Sequence, residues 1–286
     1  MGLNKAGYEC VGTSEIKESS IQIYKNHYPE HRNYGDITKI VPESLPDFDI
    51  ITGGFPCQSF SIAGLGKGFK DRRGKMIFYI YDILKAKKPK YGIFENVMGL
   101  KSHDDGKTYE KIFKLLMSAG YKVRALEMSA ANHGSAQCRE RLVFICRLNE
   151  DFPRVDMVAN DNTKTFRDVR DHDESHFNYI DMTEKNIAKF STDSKAFGFK
   201  PVGGYDRIKT MLTGMNGDFR RSCVAQEEDG RFRYLTMLEA ERLQGFPDGW
   251  TDGQTPKDRW FGLGNAVNCN MSEYLCLDYL KKLWWN

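Results

Sequence analysis

The 286 residues predict an α/β fold: a mostly parallel sheet with helices on both faces, and a smaller second unit late in the chain. Three observations carry that expectation. Short runs rich in Val, Ile and aromatics alternate with helical runs through the first 150 residues. From Asp151 to about Gly230 the chain turns polar and weakly periodic, punctuated by Gly198, Pro201, Gly203, Gly204, Gly214 and Gly217. Periodic apolar segments then return.

Taken in order, Tyr8–Ser14 reads as a strand and Glu18–His27 as a helix. Asp49–Thr52 is a second strand, followed by a helix at Lys75–Lys88 that Pro89 stops. Tyr91–Phe94 is a third strand, and the helix Thr108–Ala119 ends at Gly120. Two strand-like runs then follow each other within Tyr121–Leu148, the second centred on Leu142–Cys146, so an antiparallel pair should close the sheet. Leu235–Leu243 and Met271–Leu283 are helical, the latter running into Trp284-Trp285. The expected division is therefore 1–150, 151–232, and a segment 233–286 that returns to the first unit.

Composition narrows the class. A chain this long buries about 70–75% of its unfolded surface, so it needs no disulfide or metal staple. Hydrophobic residues at 40% and charged ones at 28% describe a globular protein. No apolar run approaches the ~20 residues that cross a bilayer, and the start MGLNKAGYEC lacks a signal-peptide core. The expected location is the cytoplasm. The net charge of +3 permits a nucleic-acid partner without requiring one. Seven scattered cysteines with no CxxC pair suggest buried reduced thiols, for all but Cys57. His172 and His176 are spaced HxxxH, but two ligands in a polar loop make no metal site, and none is expected.

Cys57 stands apart because of its setting. The string Asp49-Ile50-Ile51-Thr52-Gly53-Gly54-Phe55-Pro56-Cys57-Gln58-Ser59-Phe60-Ser61 runs a buried strand into a glycine turn, with the thiol just past the strand's carboxyl end. Ligands and reactive groups of open α/β sheets collect at that edge. A lone cysteine is more often a small apolar side chain packed under a turn, but a thiolate is also a ready nucleophile.

GGFPCQSFSIAG resembles the nucleophile motif of the cytosine carbon-5 DNA methyltransferases of bacterial and phage modification type. Four further motifs follow in that family's order. Glu95-Asn96-Val97 is similar to its ENV element, and Gln137-Cys138-Arg139-Glu140-Arg141 to its QxRxR element. Arg242-Leu243-Gln244-Gly245-Phe246-Pro247 matches RLQGFP, and Gly264-Asn265-Ala266-Val267 matches GNAV. The resemblance implies a Rossmann-like sheet that uses S-adenosylmethionine, with a small target-recognition domain at 151–232.

The residue roles follow from the same resemblance. Cys57 is the nucleophile that adds to carbon 6 of cytosine. Glu95 protonates or hydrogen-bonds ring nitrogen 3, Arg141 holds the exocyclic oxygen, and Arg139 supports Glu95 or the thiolate electrostatically. The base must leave the duplex to be reached, making base flipping part of the reaction. The glycine-rich stretch 62–74, with Lys67, Lys70, Arg72 and Arg73, suits a closing loop over phosphates. Gln58 and Ser61 beside the nucleophile, and Arg207, Arg220 and Arg221 in the 151–232 unit, complete the expected DNA contacts. From Asp151 to Gly230 there are twelve Lys and Arg against fifteen Asp and Glu, so binding has to lean on locally placed arginines.

For the cofactor, Glu15 at a strand end is placed to take ribose hydroxyls, with Ile16 beside it. Asp36, followed by Ile37, resembles the family's adenine-contacting acid. Pro56 packs along the adenosyl group, and Asn265, Ala266 and Val267 close the methionine side. The family's opening glycine loop, of the type DLFAGIGG, has no counterpart ahead of Met1-Gly2-Leu3-Asn4-Lys5-Ala6-Gly7. Its absence would leave a central strand of the sheet unfilled. A start placed too far downstream, a complementing polypeptide, or a degenerate inactive copy would each account for it.

Two other readings stand beside the DNA enzyme. One is a transfer-RNA cytosine methyltransferase, a subgroup marked by a CFT signature, whereas residues 222–224 read Ser-Cys-Val. The other is a cofactor-deficient DNA-binding relative that needs a second polypeptide. Amino-group methyltransferases are excluded, since their motif needs a PP dipeptide and the chain has none.

Overall fold

Four strands make the central sheet: β1 (Ile50–Gly54), β2 (Tyr91–Val97), β3 (Tyr121–Ser129) and β5 (Glu140–Leu148), in the order β1-β2-β5-β3. The two-residue strand β4 (Gln137–Cys138) leads into β5. This computed structural model describes residues 1–55, 76–153, 158–192, 201–213 and 223–284. β1 and β2 run parallel, pairing Ile50 with Tyr91 and Gly54 with Glu95. β5 lies antiparallel to both β2 and β3.

The sheet is thus mixed, where a mostly parallel one was expected. The expected antiparallel pair is β3 with β5, joined by a link too short for a parallel crossover. The larger departure is Tyr8–Ser14, which forms no strand. Thr13 makes one parallel bridge to Asn33, with Thr13 N–H on the Arg32 carbonyl and Tyr34 N–H on the Thr13 carbonyl, each at 2.8 Å. A strand needs a neighbour along its length to satisfy its backbone. Among the described residues none flanks 8–12, and β1 is likewise paired on one side only.

Helices cover both faces of the sheet. On one side lie α3 (Met76–Lys87) and α4 (Lys107–Ser118), burying Ile77, Leu84, Ile112 and Leu116 against Phe94 and Phe144. Ile112, Leu115 and Leu116 recur at the spacing that gives a helix one apolar face. On the other side α8 (Cys269–Tyr274) continues into a π-helical stretch, Leu275–Leu280, and α9 (Lys281–Trp284). Met271, Leu275 and Tyr279 pack there on Ile93, Val143 and Ile145. The chain begins with α1 (Gly2–Lys5) and α2 (Glu18–His27), and α1 sits against α8.

The middle of the chain holds α5 (Glu184–Thr192) and a small antiparallel sheet of β6 (Tyr179–Ile180), β9 (Phe232–Tyr234) and β8 (Val224–Gln226). β7 (Ile208–Lys209) pairs in parallel with β4, fastening this region to the edge of β5. Its core is shared. Phe166, Val202, Ile208 and Met211 pack with Leu235, Leu243, Trp260 and Leu263 of α6 (Met237–Leu243) and α7 (Pro256–Asn265) and the chain before them.

Of the six cysteines expected to be buried, Cys146, Cys269 and Cys276 are, Cys10 and Cys223 are half-buried, and Cys138 is exposed. Strand alternation explains Cys138, because its neighbours Gln137 and Arg139 take the inward positions. No helix among the described residues is long and apolar enough to cross a membrane.

Candidate active site

β1 ends in Gly53-Gly54, and the next side chain, Phe55, plugs into the core at 5% exposure. The facing end of β2 carries Glu95 and Asn96, whose side chains point to opposite faces by alternation. Asn96 is buried, and its Nδ2 donates to the Phe55 carbonyl at 2.7 Å while its Oδ1 accepts the Val97 amide at 2.9 Å. That clamp fixes the backbone just ahead of Pro56 and Cys57. Those two residues, with Gln58, Ser61, Arg72 and Arg73, lie outside the described residues.

Glu95 stands opposite Gly54 in the parallel register. A Cβ on Gly54 would fall 3.6 Å from Glu95 Oε2, so the glycine keeps the space beside that oxygen open. The other oxygen, Oε1, accepts from Arg141 Nε at 2.5 Å, the two side chains being 20% and 10% exposed. Arg141 begins β5 opposite Val97, and its Nη1 also donates to the Glu140 carbonyl at 2.7 Å. A carboxylate and a guanidinium are therefore held together where three strand ends meet.

Arg139 has different partners. It is buried, and its donors go to the carbonyls of Met211 (3.4 Å), Gly264 (3.0 Å) and Ala266 (2.8 Å), not to Glu95. Burial, with some repulsion from Arg141, pulls its guanidinium down to about 10. Gln137, fully buried, accepts the Met211 amide at 2.9 Å and donates to the Leu243 carbonyl at 3.3 Å. The Leu243 carbonyl also accepts from Ser135 Oγ and Asn268 Nδ2. The QxRxR, RLQGFP and GNAV segments thus meet in one buried polar knot.

Glu15, Ile16, Asp36 and Ile37 form a second group. Ser14 Oγ donates to the Gly35 carbonyl at 2.6 Å, bringing residues 15–16 beside 35–37. Glu15 Oε1 accepts the amides of Ile16 and Lys17, both at 2.8 Å. Asp36 caps a short 3₁₀ turn through Thr38 N–H, and the Thr38 hydrogen bonds hold its carboxyl below the usual range. Ile16 is 71% exposed and Val267 40%, uncovered apolar surface beside these acids and at the GNAV turn. Lys17 bridges the two places, with Nζ 2.9 Å from Asp258 and 4.9 Å above the Phe261 ring of α7. Asn265 ends α7, its Nδ2 on the Phe261 carbonyl.

With this geometry in place, the comparison with known families is decisive. The C-5 cytosine-specific DNA methylase family matches residues 1–281. The chain belongs to that family. Among relatives, the type II methyltransferase M.HhaI of Haemophilus parahaemolyticus is 30% identical over 293 residues, covering 96% of this chain and 88% of its own. M.NlaX of Neisseria lactamica, also a type II methyltransferase, is 32% identical over 263 residues, covering 90% and 84%. The solved S. pombe Dnmt2 methyltransferase superposes with a TM-score of 0.75 over 99% of this chain and 94% of its own. At 21% identity it shows the fold alone.

As a DNA cytosine carbon-5 methyltransferase, the chain transfers a methyl group to cytosine in DNA, and its family implies S-adenosylmethionine as donor. The structure brings Glu95 and Arg141 together, and it gathers Glu15, Ile16, Asp36 and Ile37 along one edge. Of the DNA-facing candidates, Arg207 is half-buried with Nε on the Lys164 carbonyl at 3.2 Å, and Arg220 and Arg221 lie outside the described residues. His176 pairs with Asp171 and His172 with Arg170. No group of three metal-ligating side chains occurs among the described residues. Sequence reasoning gave no task to Asn96, Gln137 or Gly264. The polar character of Asn96 and Gln137 at inward strand positions was the available signal.

Proposed function

We propose that Cys57 adds to carbon 6 of a cytosine swung out of duplex DNA, with Glu95 and Arg141 holding the ring. One observation carries this reading: the Glu95–Arg141 pair sits at the strand ends beside the Asn96–Phe55 clamp, which fixes the chain two residues before Cys57. Addition of the thiolate pushes the ring electrons toward carbon 5. Glu95 delivers a proton or hydrogen bond at nitrogen 3, and Arg141 holds the exocyclic oxygen. Carbon 5, made electron-rich by that addition, would take the methyl group that a bound sulfonium donor supplies, the donor leaving as a thioether. Loss of the carbon-5 proton expels the thiolate and restores the ring. Flipping costs a few kcal/mol, recovered through contacts to the extruded base.

The cofactor-edge residues fit S-adenosylmethionine by their chemistry. Carboxylates at Glu15 and Asp36 suit hydroxyl and amino donors, and Ile16, Ile37 and Val267 offer apolar cover for a flat ring. Pro56, Asn265 and Ala266 would line the remaining side. When bound, the donor supplies the methyl group from a sulfonium.

Residues 1–150 with 233–286 make the catalytic unit, and 151–232 reads the target through Arg207, Arg220 and Arg221. Gln58, Ser61, Arg72 and Arg73 serve the closing loop. The enzyme works in the cytoplasm, where DNA and reduced thiols coexist. Nothing in the comparisons supports a complementing polypeptide, and likeness of fold alone gives the transfer-RNA reading no support.

Buried thiols make poor competitors for the nucleophile. Burial pushes Cys269 and Cys276 up to about 12 and Cys146 higher still. Incubation with 5-fluorocytosine duplex and S-adenosylmethionine should therefore trap a denaturant-stable adduct that Cys57→Ser abolishes. An adduct that persists in Cys57→Ser would refute the assignment.

A further inference from the structure

The segment Gln137–Arg141 carries polar side chains at every second position, and Gln137, Arg139 and Arg141 are all buried while Cys138 and Glu140 between them are exposed. Together they grip three parts of the molecule. Gln137 and Arg139 take the amide and the carbonyl of Met211, so both backbone groups of that residue are held. Arg139 also spans the carbonyls of Gly264 and Ala266, and Arg141 holds Glu95. Gly264 adds a contact that cannot be loosened, because a Cβ there would meet Thr213 N at 2.6 Å.

Arg139 is an odd choice for mere stability. It is 1% exposed, no carboxylate lies within ion-pair distance of it among the described residues, and its Nε is buried without an acceptor. A buried cation that among the described residues donates only to carbonyls, with Glu95 acting on it through space, is a poorer staple than a well-packed apolar side chain. What the guanidinium offers is reach: its planar fork ties three backbone positions that one ammonium could not.

We propose that Gln137 and Arg139 are positioning residues. They lock residues 211–213 of the target-reading unit and the Gly264–Ala266 turn to the strand bearing Arg141, so that seating that unit on DNA and aligning the Arg141–Glu95 pair are set together. The inference rests on the methyltransferase reading and on the 151–232 unit as the one that reads DNA. An imperfect target would seat the unit poorly, shift Met211, and disturb the catalytic pair through two side chains.

The test uses Arg139→Lys and the near-isosteric Gln137→Met in the full chain. Methyl transfer to mixed-sequence plasmid DNA, mapped by bisulfite sequencing, should fall by about 10- to 100-fold at the preferred sites. It should fall less at near-matches, so the site profile broadens. A merely structural role would lower transfer at all sites in parallel with the melting temperature and leave the profile unchanged, which would overturn the proposal. Amide hydrogen exchange on the protein alone is the second arm. Peptides covering 208–213 and 262–267 should lose protection together in Arg139→Lys, while α3 and α4 keep theirs. Unchanged exchange at both peptides would also overturn it. Should the wild type methylate no DNA, the functional reading fails instead, and the exchange arm still decides the clamp.

Discussion

Two glycines show how differently single positions are constrained. At Gly264 a methyl group would stand 2.6 Å from Thr213 N and 2.8 Å from Leu212 C and Thr213 Cα. All three are backbone atoms, which cannot rotate away. Gly264→Ala is therefore expected to destabilise the fold by about 1–3 kcal/mol, the usual cost of overpacking, read from the denaturant midpoint. At Gly54 the added methyl meets, among the described residues, only Glu95 Oε2 and the Glu95 carbonyl at ordinary contact distances of 3.6 and 3.7 Å. Gly54→Ala should leave the midpoint within about 1 kcal/mol of wild type, since a strand glycine gains little stability and loses little there. Turnover should nonetheless fall, because the methyl occupies the approach to Glu95, the carboxylate proposed to meet the base. If Gly54→Ala turned over at the wild-type rate, the space beside Oε2 would not be where the base rests.

At the scale of elements, the joint between the middle unit and α6 is ionic and buried. Arg233 donates to both oxygens of Glu239, at 2.9 and 2.7 Å, and to Glu227 at 2.6 Å. Glu239 also accepts the amides of Asp171 and Thr236, completing a capping box at the start of α6. Although burial pushes Glu227 up, its bonds to Arg170 and Arg233 hold it below the usual range. Arg233→Met would take the cationic partner from buried Glu239 and leave Glu227 with Arg170 alone, and is expected to cost about 3–5 kcal/mol, measured by chemical unfolding. Arg233→Met with Glu239→Leu should recover only part, because the Asp171 and Thr236 amides lose their acceptor. The same scale shows what the sequence made legible. α2 was readable to its ends, and α3 and α4 within a residue or two, the last two because an apolar run and a clear stop, Pro89 or Gly120, coincide in each. α7 was missed despite its Thr255-Pro256 start, since PKDRWFGLGN is mostly polar and only packing of Trp260, Leu263 and Gly264 declares it. The Glu95–Arg141 pair was legible through its motifs. The partners of Arg139 were not, for they are backbone carbonyls 72 to 127 residues away, which no side-chain pattern encodes.

Across the whole molecule, the last segment returns to the first through the apolar packing of Met271, Leu275 and Tyr279 on the sheet, and through polar and aromatic contacts beside it. Lys5 pairs with Glu273 at 2.5 Å, and His27 stacks on Trp250 with centroids 3.5 Å apart. The Lys17–Asp258 pair joins the edge that carries Glu15 and Asp36 to α7, and it offers a titration that reads this closure. Hydrogen bonds from Lys17 and Thr255 hold Asp258 down to about 2, against roughly 3.9 for an unperturbed aspartate. A carboxyl depressed on folding stabilises the native state above its unfolded value, and that contribution disappears as pH falls through the folded one. Lys17→Met should raise Asp258 toward the ordinary range, observable by carboxyl ¹³C titration. The stability difference between wild type and Lys17→Met should then be constant above about pH 5 and shrink steadily toward pH 2. Salt should diminish it, because both side chains are partly exposed. A difference that stayed constant down to pH 2 would mean that Lys17 acts through its packing over Phe261 rather than its charge.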